Sequence, residues 1–264
     1  MLDGGSMFGV IPKTLWQQRI SADERNCIPM MMRLMLIQGE GKNILVDAGS
    51  GNKYSEKFNT IYSIEDSLGS LEKGLAENNL SFSDITDVII THLHFDHAGG
   101  STIISGKEIV PTFPNARYYV QKSQFEWAKN PIESDRASYF ANDFEPLIKN
   151  NKLIILNGAK DICPGVSVQV TNGHTSGQQH VIVSDGKVTI FYCADLIPTS
   201  AHLGIPWNMS YDHRLLLTIE EKKTVLKKAS EEGWVLFFEH CPIMAAATVR
   251  MGKKDYEIAE EVKI

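Results

Sequence analysis

The chain has 264 residues, of which 43% are hydrophobic and 22% are charged, and this length suits one large domain better than two small ones. Its formal net charge of −6 argues against nucleic acid as a partner, because contact with phosphates favours a basic face. The first residues lack the basic and apolar regions of a signal peptide, and the apolar run at residues 30–37 is too short to span a membrane. The four widely spaced cysteines show no Cys-x-x-Cys pair, so we expect reduced thiols in a cytoplasmic protein.

Hydrophobic patterns along the chain predict an alternation of strands and helices. Strands are predicted at residues 34–38, 43–47, 87–91, 117–120, 153–156, 166–170, 180–184, 188–192 and 234–238. Helices are predicted at residues 68–76 and 123–129 and from a capping box at residues 218–221, with a glycine-rich loop at residues 3–16 and an insertion or lid at residues 130–150, where a helix ends near Pro146. This order predicts a layered α/β protein with mixed sheets.

The most informative stretch is Thr91–Gly100, which directly follows an apolar run. Its polar side chains are those of His92, His94, Asp96 and His97. Residues two apart in an extended chain point the same way, so the first two imidazoles should project together. Histidine and carboxylate ligands suit zinc and also manganese, iron or cobalt, and the stretch therefore predicts a metal site.

Three further candidate ligands each follow a predicted strand. His174 comes after the strand at residues 166–170, Asp195 after the strand at residues 188–192, and His240 after the last predicted strand. Any one of these residues alone would more often be structural. Their repeated position at strand ends predicts that they join the first cluster.

These segments together resemble the motifs of the metallo-β-lactamase superfamily. The similar segments are His92-Leu93-His94-Phe95-Asp96-His97, Gly173-His174-Thr175, Ala194-Asp195 and Glu239-His240. The resemblance implies a four-layer αββα sandwich, in which two mixed sheets face each other with helices outside. It covers nearly the whole chain, so we expect a single hydrolase domain over residues 1–264.

The resemblance also implies two divalent metal ions, with zinc expected and manganese, iron or cobalt compatible. The implied ligands are His92, His94 and His174 for one ion and Asp96, His97 and His240 for the other, with Asp195 bridging the two. A hydroxide shared by the ions would be the nucleophile. Asp195, which fixes the metal spacing, and Asp96, which takes or relays a proton, are the expected catalytic carboxylates. Asp47 is a candidate hydrogen-bond partner of a histidine ligand.

Within the superfamily, the segment His92–Gly100 looks like that of the N-acyl-homoserine lactonases and the methyl-parathion-hydrolase-like enzymes. The chain departs from the lactonases at two places. Pro198 stands where they carry a tyrosine, and Gln178-Gln179 stands where they commonly show His-Gln. Tyr211 and His202 are the candidates to replace the missing hydroxyl.

The loop at residues 198–213 mixes apolar and polar groups, as a pocket wall does. Met7, Phe8 and Trp207 are predicted to add apolar surface for a modest organic substrate, although ordinary packing explains these side chains equally well. Tyr211 and His202 complete the predicted substrate pocket.

The sequence therefore predicts hydrolysis of a lactone or another carboxylic ester of a small molecule, with a phosphoester or phosphotriester as the alternative. Redox chemistry is disfavoured because His94 stands where the flavodiiron proteins carry glutamate. A purely structural zinc site needs only four closed ligands, whereas seven are available here. We expect no membrane partner, and the sequence leaves a homodimer open.

Overall fold

A computed structural model describes residues 1–264, which pack as two compact units. The central unit comprises residues 34–158, and the terminal unit comprises residues 1–33 and 159–264. None of the helices combines the length and apolar composition that crossing a membrane requires.

Strands and helices are numbered in chain order. The strands are β1 Leu2–Asp3, β2 Cys27–Ile28, β3 Met35–Gly39, β4 Lys42–Val46, β5 Asp87–Ile89, β6 Thr102–Ser105, β7 Glu108–Pro111, β8 Arg117–Gln121, β9 Leu153–Leu156, β10 Lys160–Cys163, β11 Val166–Thr171, β12 Gln178–Ser184, β13 Thr189–Tyr192, β14 Val235–Phe237, β15 Ala246–Met251 and β16 Tyr256–Val262. The α-helices are α1 Gly4–Phe8, α2 Lys13–Trp16, α3 Glu56–Tyr62, α4 Ser67–Glu77, α5 Phe95–Ala98, α6 Lys122–Lys129, α7 Glu145–Lys149 and α8 Leu215–Glu232. Every strand predicted from the sequence overlaps an observed strand.

The central unit is built on a five-stranded sheet in the order β3-β4-β5-β8-β9. The last four strands are parallel, and β3 pairs antiparallel with β4 as the predicted hairpin requires. Leu71 and Leu75 of α4 pack into the same apolar core as Val88 of β5. Because parallel strands end at one edge of a sheet, the residues after β4 and β5 come together there.

The terminal unit is built on a seven-stranded sheet in which β10 to β16 follow one another in order. Neighbouring strands of this sheet are antiparallel except β13 and β14, which are parallel and are connected through α8. Val225, Leu226 and Ala229 of α8 are buried against this sheet with Phe191 and Leu236. The parallel pairing brings the residues after β13 and β14 to the same edge. The short strands β1 and β2 pair separately.

The prediction of a loop at residues 3–16 is wrong, because this segment contains α1 and α2. The Asp3 carboxylate caps α1 by accepting a hydrogen bond from the Ser6 N–H at 2.8 Å. Gly4 serves close packing, since a Cβ atom there would lie 2.4 Å from the Trp16 ring. The low helix propensity of glycine is the reason that the sequence did not predict α1, although this helix is capped by Asp3 and packed against Trp16.

Two helix boundaries also differ from the prediction. Helix α8 begins at Leu215, so Thr218 lies inside the helix and donates its N–H to the Arg214 carbonyl at 3.0 Å. Pro146 lies in the first turn of α7, where proline is tolerated, and therefore does not end a helix. The Phe144 and Leu147 side chains are buried in the central core, so α7 packs against the central unit.

Candidate functional site

Four of the predicted ligands lie just beyond β5 in the central unit. The chain is extended at His94, which is the N-cap residue of α5, and Asp96 and His97 lie on that short helix. His92 Nε2 lies 2.9 Å from His94 Nδ1, and His97 Nε2 lies 3.8 Å from an Asp96 carboxylate oxygen. The three imidazoles are buried, whereas Asp96 is partly exposed. The local geometry thus groups nitrogen and oxygen donors.

The remaining ring nitrogen of each of these histidines contacts an oxygen of the same unit. The pairs are His92 Nδ1 with Thr91 Oγ1 at 3.1 Å, His94 Nε2 with Asp135 Oδ1 at 3.2 Å, and His97 Nδ1 with Asp47 Oδ2 at 3.1 Å. The Asp47 carboxylate can only accept a hydrogen bond, so the Nδ1 of His97 that faces it carries the proton. The opposite nitrogen keeps its lone pair, which is what binding to a metal ion requires.

Asp47, the predicted partner of a histidine ligand, forms a hydrogen bond with His97, one of the predicted ligands. It is fully buried, and it also accepts the Thr91 N–H at 2.6 Å and the Thr91 hydroxyl at 2.7 Å. Its backbone adopts the left-handed conformation with φ of +59°, which is uncommon for a residue other than glycine. The Ala48 N–H donates to the His97 carbonyl at 2.8 Å. His97 is therefore held by ring and by backbone at the end of β4.

The other three predicted ligands lie beyond strands of the terminal unit. His174 follows β11, Asp195 lies in a single helical turn after β13, and His240 follows β14. Asp195 Oδ2 lies 3.2 Å from His174 Nε2, and Asp195 Oδ1 lies 3.0 Å from His240 Nε2. The two carboxylate oxygens thus face different histidines. Ala194, which precedes the carboxylate, has a φ of +41°, and such strain is typical of functional turns.

The outer nitrogens of these two histidines are also held, by partners that the sequence did not reveal. His174 Nδ1 lies 3.1 Å from Asp212 Oδ1, and His240 Nδ1 lies 2.7 Å from the Met31 carbonyl oxygen. Asp212 was visible only as one polar residue of the loop after Asp195. A backbone carbonyl such as that of Met31 has no sequence signal, since every residue carries one.

The residues predicted for a substrate pocket belong to the terminal unit, and three of them, Met7, Phe8 and His202, are buried. Phe8 stacks on His202 with ring centroids 4.5 Å apart and contacts the Trp207 ring edge-on. The two His202 nitrogens lie 2.7 Å from Thr199 Oγ1 and from the Met7 carbonyl, and burial lowers the pKa of His202 to about 3. His202 therefore does not fit the replacement of a lactonase hydroxyl.

Tyr211 is the exposed member of the predicted pocket, with 41% of its surface accessible. It precedes Asp212, whose carboxylate orients His174. Tyr211 remains the candidate for the missing hydroxyl, and contact of all five residues with substrate stays a prediction.

The donor set fits a divalent metal ion. Each predicted imidazole ligand has one nitrogen beside an oxygen atom and offers the other, and the chain's histidine and aspartate side chains include groups that could hold such an ion. The protein is therefore of the metal-binding class in which histidine and aspartate donors follow the strand ends of an α/β fold.

The chain belongs to the metallo-beta-lactamase superfamily, whose sequence profile matches residues 34–240. A curated relative, the N-acyl homoserine lactonase AiiA of Bacillus thuringiensis subsp. kurstaki, is 29% identical over 161 residues, which are 60% of this chain and 56% of the relative. The N-acyl homoserine lactonase AttM of Rhizobium radiobacter is 27% identical over 143 residues, which are 54% of this chain and 43% of that protein. The chain spans about half the length of the curated relatives it matches.

Solved structures agree with this family. A probable metal-dependent hydrolase from Staphylococcus aureus has a TM-score of 0.88 and 30% identity, covering 99% of this chain and 94% of that one. AidC, a dizinc quorum-quenching lactonase in complex with a product, has a TM-score of 0.74 and 25% identity, covering 89% and 81%. The predicted fold class, a metallo-β-lactamase fold of mixed sheets and helices, is confirmed.

Proposed function

We propose that the chain is a metal-dependent hydrolase that opens a lactone or cleaves another carboxylic ester of a small, partly apolar substrate. The observation that carries this proposal is the presence of two sets of histidine and aspartate donors with buried imidazoles, in which the second nitrogens of His97, His174 and His240 are held by hydrogen bonds. The similarity to proteins named N-acyl homoserine lactonase supports the choice of substrate class.

In this proposal the seven predicted ligands hold two divalent ions, with zinc as the metal. The first ion would be held by His92, His94 and His174 and the second by Asp96, His97 and His240, and Asp195 would serve both. Support for the bridge comes from Asp195 itself, since its two oxygens face one histidine of each proposed set. The structural neighbour AidC is described as a dizinc enzyme, which supports the choice of zinc.

The roles of the protein groups follow from their positions. When bound, a pair of divalent ions activates water at neutral pH and polarises the carbonyl oxygen of an ester. Asp96 is the predicted carboxylate ligand of the central unit, and it is partly exposed. We propose that it accepts a proton and returns it to the alcohol oxygen of the opened ester. Asp47 and Asp212 fix the tautomers of His97 and His174, and the Asp135 carboxylate lies 3.2 Å from His94 Nε2.

A hydrolysis panel on zinc-loaded protein tests this function. It sets homoserine lactones and aryl esters against phosphotriesters and a cephalosporin, and we expect turnover of a lactone or ester. Turnover of phosphotriesters alone would support the alternative predicted from the sequence, and no turnover of any class with two zinc ions bound would overturn the assignment to hydrolysis.

The variant Asp195→Ala should lose bound zinc and activity together, because one carboxylate serves both proposed ions. Asp161→Ala is the matched control, since Asp161 is an exposed aspartate of β10. Retained activity in Asp195→Ala would contradict the bridging role.

The remaining features of the proposal concern partners and location. The partner is a small molecule, and a homodimer stays a prediction. None of the four cysteines forms a disulfide, which is compatible with the proposed cytoplasmic location.

A further inference from the structure

The loop that carries His174 is bound to the beginning of α8. We define the His174 loop as residues 172–175. Glu221, in the second turn of α8, accepts the Asn172 N–H at 2.7 Å through Oε1 and the Gly173 N–H at 2.9 Å through Oε2. Both carboxylate oxygens of a single side chain are thus used by successive backbone groups of the His174 loop.

The residues just before α8 bind the same loop from its carbonyl side. The His213 N–H donates to the His174 carbonyl at 3.1 Å, and the Arg214 N–H donates to the Gly173 carbonyl at 2.8 Å. Asp212, one residue earlier, contacts the His174 ring nitrogen. The backbone and the ring of His174 are therefore both held by one continuous segment, residues 212–214.

Gly173 allows this close approach. A Cβ atom at this position would lie 2.4 Å from the Thr218 backbone nitrogen and 2.5 Å from the Thr218 Cα, distances that real Cβ atoms essentially never show. The His174 loop is consequently in direct contact with the backbone of α8, and a shift of this helix turn would be transmitted to the histidine.

We propose that Glu221 is a positioning residue for His174, which it aims at Asp195 by fixing the two backbone groups that precede the ring. A carboxylate in the second turn of a helix most often interacts only with groups of that helix. Here, however, both oxygens bind the His174 loop instead of the helix end. The inference rests on the proposed function only in taking His174 as a metal ligand.

Zinc affinity tests the role of Glu221 without any substrate. Glu221→Gln keeps the size of the side chain but replaces one acceptor by an NH₂ group, so one of the two loop hydrogen bonds is lost. We expect competition with a chromogenic chelator to show one of two zinc sites weakened by about 10- to 100-fold, the usual range for loss of an outer partner of a ligand. The cobalt-substituted variant should also change its visible absorption.

The matched control is Glu220→Gln, which alters an exposed neighbour that pairs with Lys223. It should bind zinc as the unmodified chain does. If Glu221→Gln lowers the thermal midpoint of the metal-free protein but leaves both zinc affinities and the cobalt spectrum at control values, the positioning role is overturned.

Two further measurements decide the matter if Glu221→Gln fails to fold. The milder variant Glu221→Asp, whose carboxylate is set back by one methylene and does not reach both N–H groups, should show the same weakened site in the chelator titration. In the unmodified metal-free protein, the amide protons of Asn172 and Gly173 should exchange slowly, and exchange at the rate of an open loop would overturn the proposal.

Failure of this inference is distinguishable from failure of the proposed function. A chain that hydrolyses esters but whose Glu221→Gln variant binds zinc normally would overturn only the role of Glu221. A chain that hydrolyses nothing but shows the weakened site would overturn only the hydrolase assignment.

Discussion

Replacing Asp47 by asparagine would test how strongly a buried carboxylate supports a histidine ligand. Asp47 accepts three hydrogen bonds, from the Thr91 N–H, the Thr91 hydroxyl and the ring of His97. The asparagine NH₂ group must face one of these donors, and a buried donor left without an acceptor costs about 1–3 kcal/mol of stability. If that group faces His97, it favours the tautomer with the proton on Nε2, the nitrogen needed for the metal ion.

The expected outcome of Asp47→Asn is therefore twofold. The free energy of unfolding of the metal-free protein should fall by about 1–3 kcal/mol in urea titration. The zinc site that includes His97 should weaken by about 10- to 100-fold, equivalent to about 1.4–2.8 kcal/mol. Asp161→Asn, at an exposed aspartate, should change neither quantity. A folded Asp47→Asn variant that binds both zinc ions with unchanged affinity would refute the orienting role.

Three further changes probe other parts of the site. Asp212→Asn should weaken the zinc site containing His174 by about 10- to 100-fold in the same chelator titration, and unchanged affinity would contradict its role. Gly173→Ala should destabilise the fold by about 1–3 kcal/mol or more in urea, because the added Cβ overlaps the Thr218 backbone; equal stability would show that the helix yields. His202 has a folded pKa of about 3 against 6.5 in the unfolded chain, so the unfolded state binds more protons between these values and stability should fall as pH falls through this range. A His202→Gln variant should show a shallower pH dependence of unfolding, and an identical slope would contradict this assignment.

The elements that position the ligands were largely predictable from the sequence. Apolar residues recur along β11 and fill β14, and a histidine three residues beyond each strand stands out, as His174 and His240 do. The cluster from His92 to His97 is unusual enough in composition to indicate metal binding by itself. These signals are local, which is why they can be read from sequence.

The groups that orient the ligands were much harder to predict. Asp135 and Asp212 reach His94 and His174 through the packing of segments 41 and 38 residues away in sequence, and no spacing rule connects these pairs. Glu221 was misinterpreted for a related reason, since its position three residues after Thr218 imitates a helix cap. Only the fold reveals that its carboxylate binds another segment.

The most direct test of the proposed two-metal site is a crystal structure of the zinc-loaded protein with anomalous data collected at the zinc edge. The account predicts two anomalous peaks, one within coordination distance of His92, His94 and His174 and the other of Asp96, His97 and His240, with Asp195 contacting both. A single peak, or peaks coordinated by other residues, would contradict it.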